Sequence, residues 1–249
     1  MDKVGCSGLT YKILYDSVRI HIIKNGVVPC QFSFSSSAQF LKNQEDLDKT
    51  KELVKKSNVP IFVHANVCHN SSDPVPAYVE AIKNDLRVTN SIGGRGVVIH
   101  VGKHCNRCSV EEAINIMRST ISELLETATP ECPLLIEVPA GQGTELCTTV
   151  EELSSFYLSF SQEQRKRFFI CLDTQHSFGA GYFPMEYIQS LISLCGIDVL
   201  KLIHLNDSRV ERGSHLDRHQ AIGKGFIGYD KLNEVAVWAM KNNIPCVYE

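Results

Sequence analysis

One stretch of the chain, residues 204–228, is dense in side chains that can bind metal or move protons. It reads HLNDSRVERGSHLDRHQAIGKGFIG and contains His204, Asp207, His215, Asp217 and His219, where a connecting loop needs only serine, asparagine and glycine. Asp217 and His219 are two residues apart, so in an extended or looping backbone both side chains can face one point. Neutral imidazole with carboxylate suits zinc, manganese or iron better than magnesium or calcium. This stretch therefore predicts a site for one of those metals.

A second pattern extends the prediction to the whole chain: six successive apolar runs end on a histidine or a carboxylate. These terminal residues are His64, His100, Glu137, Asp173, His204 and Glu249. Unpaired charges would not gather at one place, because desolvation costs several kcal/mol for each. With His176, Asp217 and His219 the candidates are five histidines and four acids. That set exceeds one tetrahedral zinc and predicts two or three metal ions with a bridging carboxylate.

The elements that must position these residues alternate between short apolar runs and amphipathic stretches. The apolar runs cover residues 3–6, 27–34, 60–65, 96–101, 133–138, 168–173, 199–205 and 244–249. Their nearly continuous apolar character is typical of parallel strands covered on both faces. Eightfold strand–helix alternation predicts a TIM (β/α)8 barrel, with a doubly wound open sheet as the alternative. In such a barrel the ends of the strands form the active site, so the six terminal residues should meet at one mouth.

Helix boundaries can also be predicted from local signals. Ser109, Thr149 and Ser161 each begin a capping-box pattern. The first helix should end at Asn25–Gly26 and the last should open at Asp230. Apolar residues on one stripe predict helices over residues 75–86 and 111–127.

Length and composition fit one globular domain over residues 1–249, with 43% hydrophobic and 21% charged residues. The net charge of -3 excludes a strongly basic protein, although a local basic rim or bound ions could still attract nucleic acid. No apolar run approaches the length of a membrane span, which predicts a soluble, intracellular protein without membrane contact. The ten cysteines are scattered, which favours reduced thiols. The single C-x-x-C pair, Cys105 and Cys108, has no second pair to complete a zinc site.

The motifs around the candidate residues occur in a specific order. They include Val63-His64-Ala65, Ile99-His100-x-Gly102, Glu137-x-x-Ala140-Gly141, Asp173-Thr174-x-His176, His204-Leu-Asn-Asp-Ser208, Asp217-Arg218-His219 and the final Glu249. Across nearly the whole chain they resemble the endonuclease IV family of AP endonucleases, which are zinc-dependent DNA-repair enzymes with a TIM barrel.

The resemblance implies three zinc ions, with manganese an alternative at one site. The first ion would take His64, His100 and Glu137. The second would share Glu137 and add Asp173, His204 and Glu249. The third would take His176, Asp217 and His219. Glu137 would be the central catalytic residue, and the protein a monomer that acts on double-stranded DNA. The implied reaction is hydrolysis 5′ to an abasic site, leaving a 3′-hydroxyl and a 5′-deoxyribose phosphate.

Four basic residues of the 204–228 stretch are candidates for contacts with DNA phosphates; the other reading is a solvated loop surface. They are Arg209, Arg212, Arg218 and Lys224. His215 has no assigned role.

The chain departs from the family in two loops. Family members insert an arginine and a tyrosine into the duplex, and the matching positions here are Ala38 and Val67. Neither can stack on a base, so another residue, with Phe40 as the candidate, would have to distort the duplex. The chain also ends at Glu249, so the eighth helix of the barrel is expected to be missing, and the sequence to be a fragment or to have that flank covered otherwise.

Two alternatives remain open from the residues. One is a sugar isomerase or epimerase on the same barrel, with Glu137 and Asp173 as acid–base residues; it leaves His176, Asp217 and His219 without a role. The other is a catalytically impaired, zinc-stabilised DNA-binding homologue, which the altered loops suggest.

Overall fold

The computed structural model describes residues 3–8, 10–66 and 68–249. The described residues form ten strands: Gly5–Ser7 (β1), Cys30–Phe32 (β2), Ile61–His64 (β3), Val97–Ile99 (β4), Leu134–Glu137 (β5), Phe168–Asp173 (β6), Leu200–His204 (β7), Asp207–Ser208 (β8), His219–Gln220 (β9) and Cys246–Tyr248 (β10). Eight of them close into a parallel barrel in the order β1-β2-β3-β4-β5-β6-β7-β10, with β10 paired to β1. The predicted TIM barrel is confirmed, and the open-sheet alternative is wrong. Strands β8 and β9 form a separate antiparallel pair in the loop after β7.

The helices lie around this barrel. They are Leu14–Asn25 (α1), Ser37–Phe40 (α2), Gln44–Ser57 (α3), Pro76–Ser91 (α4), Val110–Leu125 (α5), Val150–Leu158 (α6), Gln162–Arg165 (α7), Thr174–Gly179 (α8), Pro184–Cys195 (α9) and Tyr229–Lys241 (α10), with a 3₁₀ turn at Ile197–Val199. Among the described residues, no helix combines the length and the apolar character needed to cross a membrane.

Local signals set the helix ends largely as expected. Helix α1 ends at Asn25, and Gly26 follows with a φ of 78°. Thr149 and Ser161 form complete capping boxes, whereas Ser109 caps α5 through its own side chain alone. Helix α10 begins at Tyr229, one residue before the predicted start. Val75, the first residue of the predicted stripe, is the N-cap of α4 and is 45% exposed.

The barrel interior is filled by one layer of buried side chains: Phe62, Val98, Leu135, Cys171, Leu202 and Val247. Each of them lies two residues before a strand-end histidine or carboxylate. Since side chains alternate between the two faces of a strand, residues at i and i+2 share a face. The six strand-end side chains therefore point into the barrel, one layer above these buried apolar side chains.

Candidate metal centre

The six strand-end residues converge at the mouth, and we call them the strand-end set: His64, His100, Glu137, Asp173, His204 and Glu249. Glu137 lies at their centre and is 2% exposed. Its Oε2 lies 3.1 Å from His64 Nε2 and 3.0 Å from His100 Nε2. Its Oε1 lies 2.8 Å from His204 Nδ1. The two oxygens of one carboxylate thus face two different groups of imidazoles, as a bridging ligand does.

His204 and Glu249 are held by a side chain that the sequence analysis did not single out, Gln31 of β2. Gln31 Nε2 donates a hydrogen bond to Glu249 Oε1 at 2.6 Å, so its Oε1 must face the other way. There it accepts from His204 Nε2 at 2.8 Å. Because Nε2 carries the proton, the lone pair on His204 Nδ1 faces Glu137 and also Glu249, whose Oε2 is 3.0 Å away.

Asp173 is fixed by two hydrogen bonds at the start of α8. Its Oδ1 accepts from the backbone of His176 at 2.8 Å, which caps the helix. Its Oδ2 accepts from Asn206 Nδ2 at 2.6 Å. Asn206 also receives the backbone N–H of Glu249 at 3.0 Å, so one buried amide positions two carboxylates of the strand-end set.

A second cluster, which we call the loop set, consists of His176, Asp217 and His219. Asp217 Oδ1 lies 3.3 Å from both His176 Nε2 and His219 Nε2. These two nitrogens are buried and have no hydrogen-bond partner within the part of the chain that the structure describes. Asp173 Oδ2 lies 3.7 Å from His219 Nε2, so Asp173 borders both clusters.

The nitrogen and carboxylate oxygen atoms of these residues are close enough together to bind divalent metal ions. Three of their groupings place one donor atom per residue within 4.8 Å of one another: His64, His100 and Glu137; Glu137, Asp173, His204 and Glu249; and Asp173, His176 and His219. Backbone carbonyls set the imidazole tautomers, since the Nδ1–H groups of His64 and His176 donate to Ala65 at 2.7 Å and Val138 at 3.0 Å. Both rings therefore turn a bare Nε2 toward the carboxylates, as metal-binding histidines do.

The electrostatics of the site favour ionised carboxylates. Burial by itself would raise the pKa of Glu137, but without a bound metal the positive charge of protonated imidazole at His204 and His100 outweighs it and holds that pKa well below its usual value. Burial opposes ionisation of Asp217 too, yet the nearby His176, when its imidazole is protonated, lowers the pKa of Asp217 to about 2. Anionic oxygen next to an imidazole lone pair is the ligand combination that zinc and similar ions prefer.

The loop after β7, residues 205–228, carries Asp217 and His219 and is organised by the buried carboxylate of Asp207. Its Oδ2 accepts from the backbone of Gly223 at 2.9 Å and Gly225 at 3.0 Å. Its Oδ1 accepts from Ser208 at 2.8 Å, Ile227 at 3.0 Å and Gly228 at 3.3 Å. One side chain thus accepts hydrogen bonds from five N–H groups and connects the start of the loop to its end.

Two glutamines anchor the middle of this loop to the barrel. Gln142 Oε1 accepts from the backbone of Asp217 at 3.2 Å. Gln175, fully buried in α8, donates to the carbonyl of Leu216 at 2.9 Å and accepts from the backbone of Arg218 at 3.1 Å. These contacts set the position of Asp217 relative to His176.

The four basic residues suggested for DNA contacts are all exposed. Arg212 stacks on Phe183, with 4.5 Å from its guanidinium carbon to the ring centre. Arg218 donates to Gln142 Oε1 at 3.2 Å. Arg209 and Lys224 line one surface pocket together with Phe226. His215 packs beside Gly141, where a Cβ would lie 2.5 Å from its Nδ1.

Of the residues considered for insertion into the duplex, the structure describes Ala38 and Phe40. Ala38 is exposed on α2, and Val67 lies outside the described residues. Phe40 is only 7% exposed and packs on Phe34, with ring centres 5.1 Å apart. The suggestion that Phe40 distorts the duplex is therefore wrong, because its ring belongs to the core.

Sequence reasoning missed four side chains that orient the candidate ligands, Gln31, Gln142, Gln175 and Asn206, and it singled out Asp207 only for metal or proton chemistry rather than for organising the loop. Asn206 and Asp207 stand in the His204–Ser208 motif, so a signal was present, but Asn206 contacts Asp173, 33 residues away, and Asp207 contacts Gly223, 16 residues away. Gln31 offered one local signal, a polar residue inside an apolar run.

Comparison with known proteins places this site in context. A family model described as a xylose isomerase-like TIM barrel matches residues 26–236. Probable endonuclease 4 of Symbiobacterium thermophilum is 34% identical over 207 residues, which cover 80% of this chain and 74% of that protein. The crystal structure of endonuclease IV from Thermus thermophilus aligns with a TM-score of 0.82 at 22% identity, over 99% of this chain and 90% of that one. A D-tagatose 3-epimerase-like protein aligns with a TM-score of 0.73 at 21% identity, over 99% of this chain and 89% of that one. The two solved structures establish the shared barrel.

Proposed function

The chain belongs to the endonuclease IV family, and we propose that it is a metal-dependent AP endonuclease that cuts double-stranded DNA 5′ to an abasic site. The products would be a 3′-hydroxyl and a 5′-deoxyribose phosphate, with residues 1–249 acting as one domain. The observation that carries the proposal is the position of the loop set beside the strand-end set, with Glu137 facing imidazoles on both sides.

We assign three zinc ions to the mouth, with manganese an alternative at one site. His64, His100 and Glu137 would hold the first. Glu137, Asp173, His204 and Glu249 would hold the second, and His176, Asp217 and His219 the third, which Asp173 borders. Bound ions of this kind supply positive charge to phosphate oxygens and lower the pKa of water to about 7.

Formal charge supports three ions rather than two. The mouth contains four carboxylates, Glu137, Asp173, Asp217 and Glu249, and a phosphodiester is also an anion. Two divalent ions would only neutralise the carboxylates, whereas a third leaves the mouth positive by two charges. That excess positive charge attracts an anionic substrate to the mouth.

The protein's own residues would bind and orient the substrate. Glu137 contacts His64 and His100 with one carboxylate oxygen and His204 with the other, so it fixes the spacing between these imidazoles. Gln31 keeps Glu249 in place, and Asn206 keeps Asp173 in place. The exposed Arg209, Arg212, Arg218 and Lys224 would contact phosphates beside the mouth. Rotation of the abasic nucleotide into the mouth is favoured because no base has to be unstacked.

The test is a duplex with one tetrahydrofuran abasic analogue, incubated with zinc-loaded protein. We expect a single nick 5′ to the analogue, a 3′-hydroxyl end that a polymerase extends, and loss of nicking after prolonged chelation. Glu137→Gln should lower the nicking rate by at least about 100-fold and lower the bound zinc, since even outer-shell changes cost about 10–100-fold in metal affinity or activity. An intact duplex without the analogue is the control.

Two other results would replace the proposal. Tight binding of the abasic duplex by zinc-replete protein without nicking would favour a catalytically impaired DNA-binding homologue. Interconversion of ketose sugars without nicking would favour an isomerase or epimerase, whose fold the aligned epimerase-like structure shares.

A further inference from the structure

Phe226 is a large apolar side chain displayed on the loop after β7. It is 57% exposed, although its neighbour Ile227 is buried. With Arg209, Gln220, Lys224 and Gly225 it lines a surface pocket of about 210 Å³. The pocket therefore combines one exposed aromatic ring with two cationic side chains.

The backbone holds Phe226 rigidly. Its N–H donates to the carbonyl of Ser208 at 2.8 Å, and the residues on either side, Gly225 and Ile227, both donate to Asp207 at 3.0 Å. Gly225 is required for this approach, because a Cβ there would lie 2.2 Å from the Ser208 carbonyl oxygen. Because the backbone at Phe226 is already ordered, binding has only the side-chain torsions of this residue left to fix.

Phe226 is also close to the loop set. Ser208 pairs with His219 on one side and receives the Phe226 N–H on the other, so β8 alone separates the two backbones. With strands about 4.8 Å apart, Phe226 and His219 lie on the order of 10 Å from each other. A DNA strand rises about 3.4 Å per nucleotide, so this distance corresponds to about three nucleotides.

We propose that Phe226 stacks on a nucleobase of the bound duplex, within about three nucleotides of the abasic site, while Arg209 and Lys224 contact the adjoining phosphates. This inference rests on the proposed function. An aromatic ring between cations matches a base between phosphates, because every base has a stacking face and every phosphate a negative charge. The ring supplies the stacking surface that Ala38 lacks and that the buried Phe40 cannot provide.

The experiment uses the zinc-loaded chain and abasic duplexes with 2-aminopurine at each of the three positions on either side of the lesion. Initial nicking rates give KM and kcat/KM, and stopped-flow fluorescence reports stacking before cleavage. Phe226→Ala should raise KM about 10-fold and abolish 2-aminopurine quenching at one position. Phe226→Trp should retain both. Leu194→Ala, which removes a side chain 45% exposed at the end of α9, is the control and should change neither.

Salt dependence separates stacking from charge. Phe226→Ala should leave the slope of log(kcat/KM) against log salt unchanged, whereas Arg209→Gln and Lys224→Gln should each reduce it by about one. If the wild type nicks the duplex and Phe226→Ala leaves KM and quenching unchanged, this inference is overturned and the proposed function stands. A wild type that neither binds nor nicks the duplex overturns both.

Discussion

The strand-end set and the loop set offer similar imidazoles and carboxylates, but the chain positions them by different means. In the strand-end set, every residue is the last residue of a strand or the next one, two positions beyond an apolar interior residue. In the loop set, His176 stands on α8, and Asp217 and His219 come from a loop that hydrogen bonds hold against the barrel.

This difference shows that one site can contain some ligands positioned by barrel strands and others positioned by hydrogen bonds to a loop. Backbone hydrogen bonds between the barrel strands fix the strand ends, so the positions of these residues depend on the whole barrel, and Gln31 and Asn206 then orient individual side chains. The loop set depends on a few polar side chains, chiefly the buried Asp207 and Gln175 and the partly exposed Gln142. Local opening has a lower free energy in such a segment than in core strands. A substitution that disrupts the geometry of one set should therefore leave the geometry of the other set intact.

The largest effect should come from Asp207→Ala. It leaves five N–H groups without their acceptor, and the buried ones, those of Ser208 and Ile227, cost about 1–3 kcal/mol each. We expect the amides of Gly223, Gly225 and Ile227 to exchange hydrogen at least about 100-fold faster, and one metal ion of the proposed three to be lost.

Asp217→Asn is the matched control for that prediction. It should release the same ion and leave the amide exchange of the loop nearly unchanged. Unfolding of the barrel by Asp207→Ala, or release of every ion, would show that the two sets are not independent.

A smaller effect on the other set is expected from Gln31→Leu. The change removes the acceptor of His204 Nε2–H and the donor to Glu249, and outer-shell losses of this kind lower metal affinity about 10–100-fold. Competition with a chelator should show weaker binding of one strand-end ion. Gln175→Leu, whose hydrogen bonds reach only the loop after β7, should leave the affinity for that ion unchanged.

The smallest effect concerns His21, which belongs to neither set. Burial lowers its pKa, and only the hydrogen bond to the Val28 carbonyl opposes this. The unfolded chain therefore takes up the proton at a higher pH than the folded one, so the contribution of His21 is complete above about pH 6.5 and is lost as the pH falls through the lower, folded pKa. The unfolding free energy of the wild type should fall more between pH 7.5 and 5.5 than that of His21→Gln. Equal losses in the two proteins would contradict this assignment.

Much of the fold and of the strand-end set could be predicted from local signals. The apolar runs located the barrel strands, and the residue that ends each run located a side chain at the mouth. Some local expectations were wrong where packing decided the outcome. Val75 is an exposed cap rather than part of the buried stripe, and Phe40 lies in the core rather than at the surface.

The sequence by itself determined the barrel and the convergence of the strand ends, because a two-residue period and a closed parallel sheet leave each of those side chains one direction to face. Tertiary structure alone decided that Asp173 borders both sets, that Gln31 orients His204, and that Phe226 rather than Phe40 is displayed. Those outcomes depend on the path of the loop and on contacts between residues distant in the chain. Local sequence patterns predict neither.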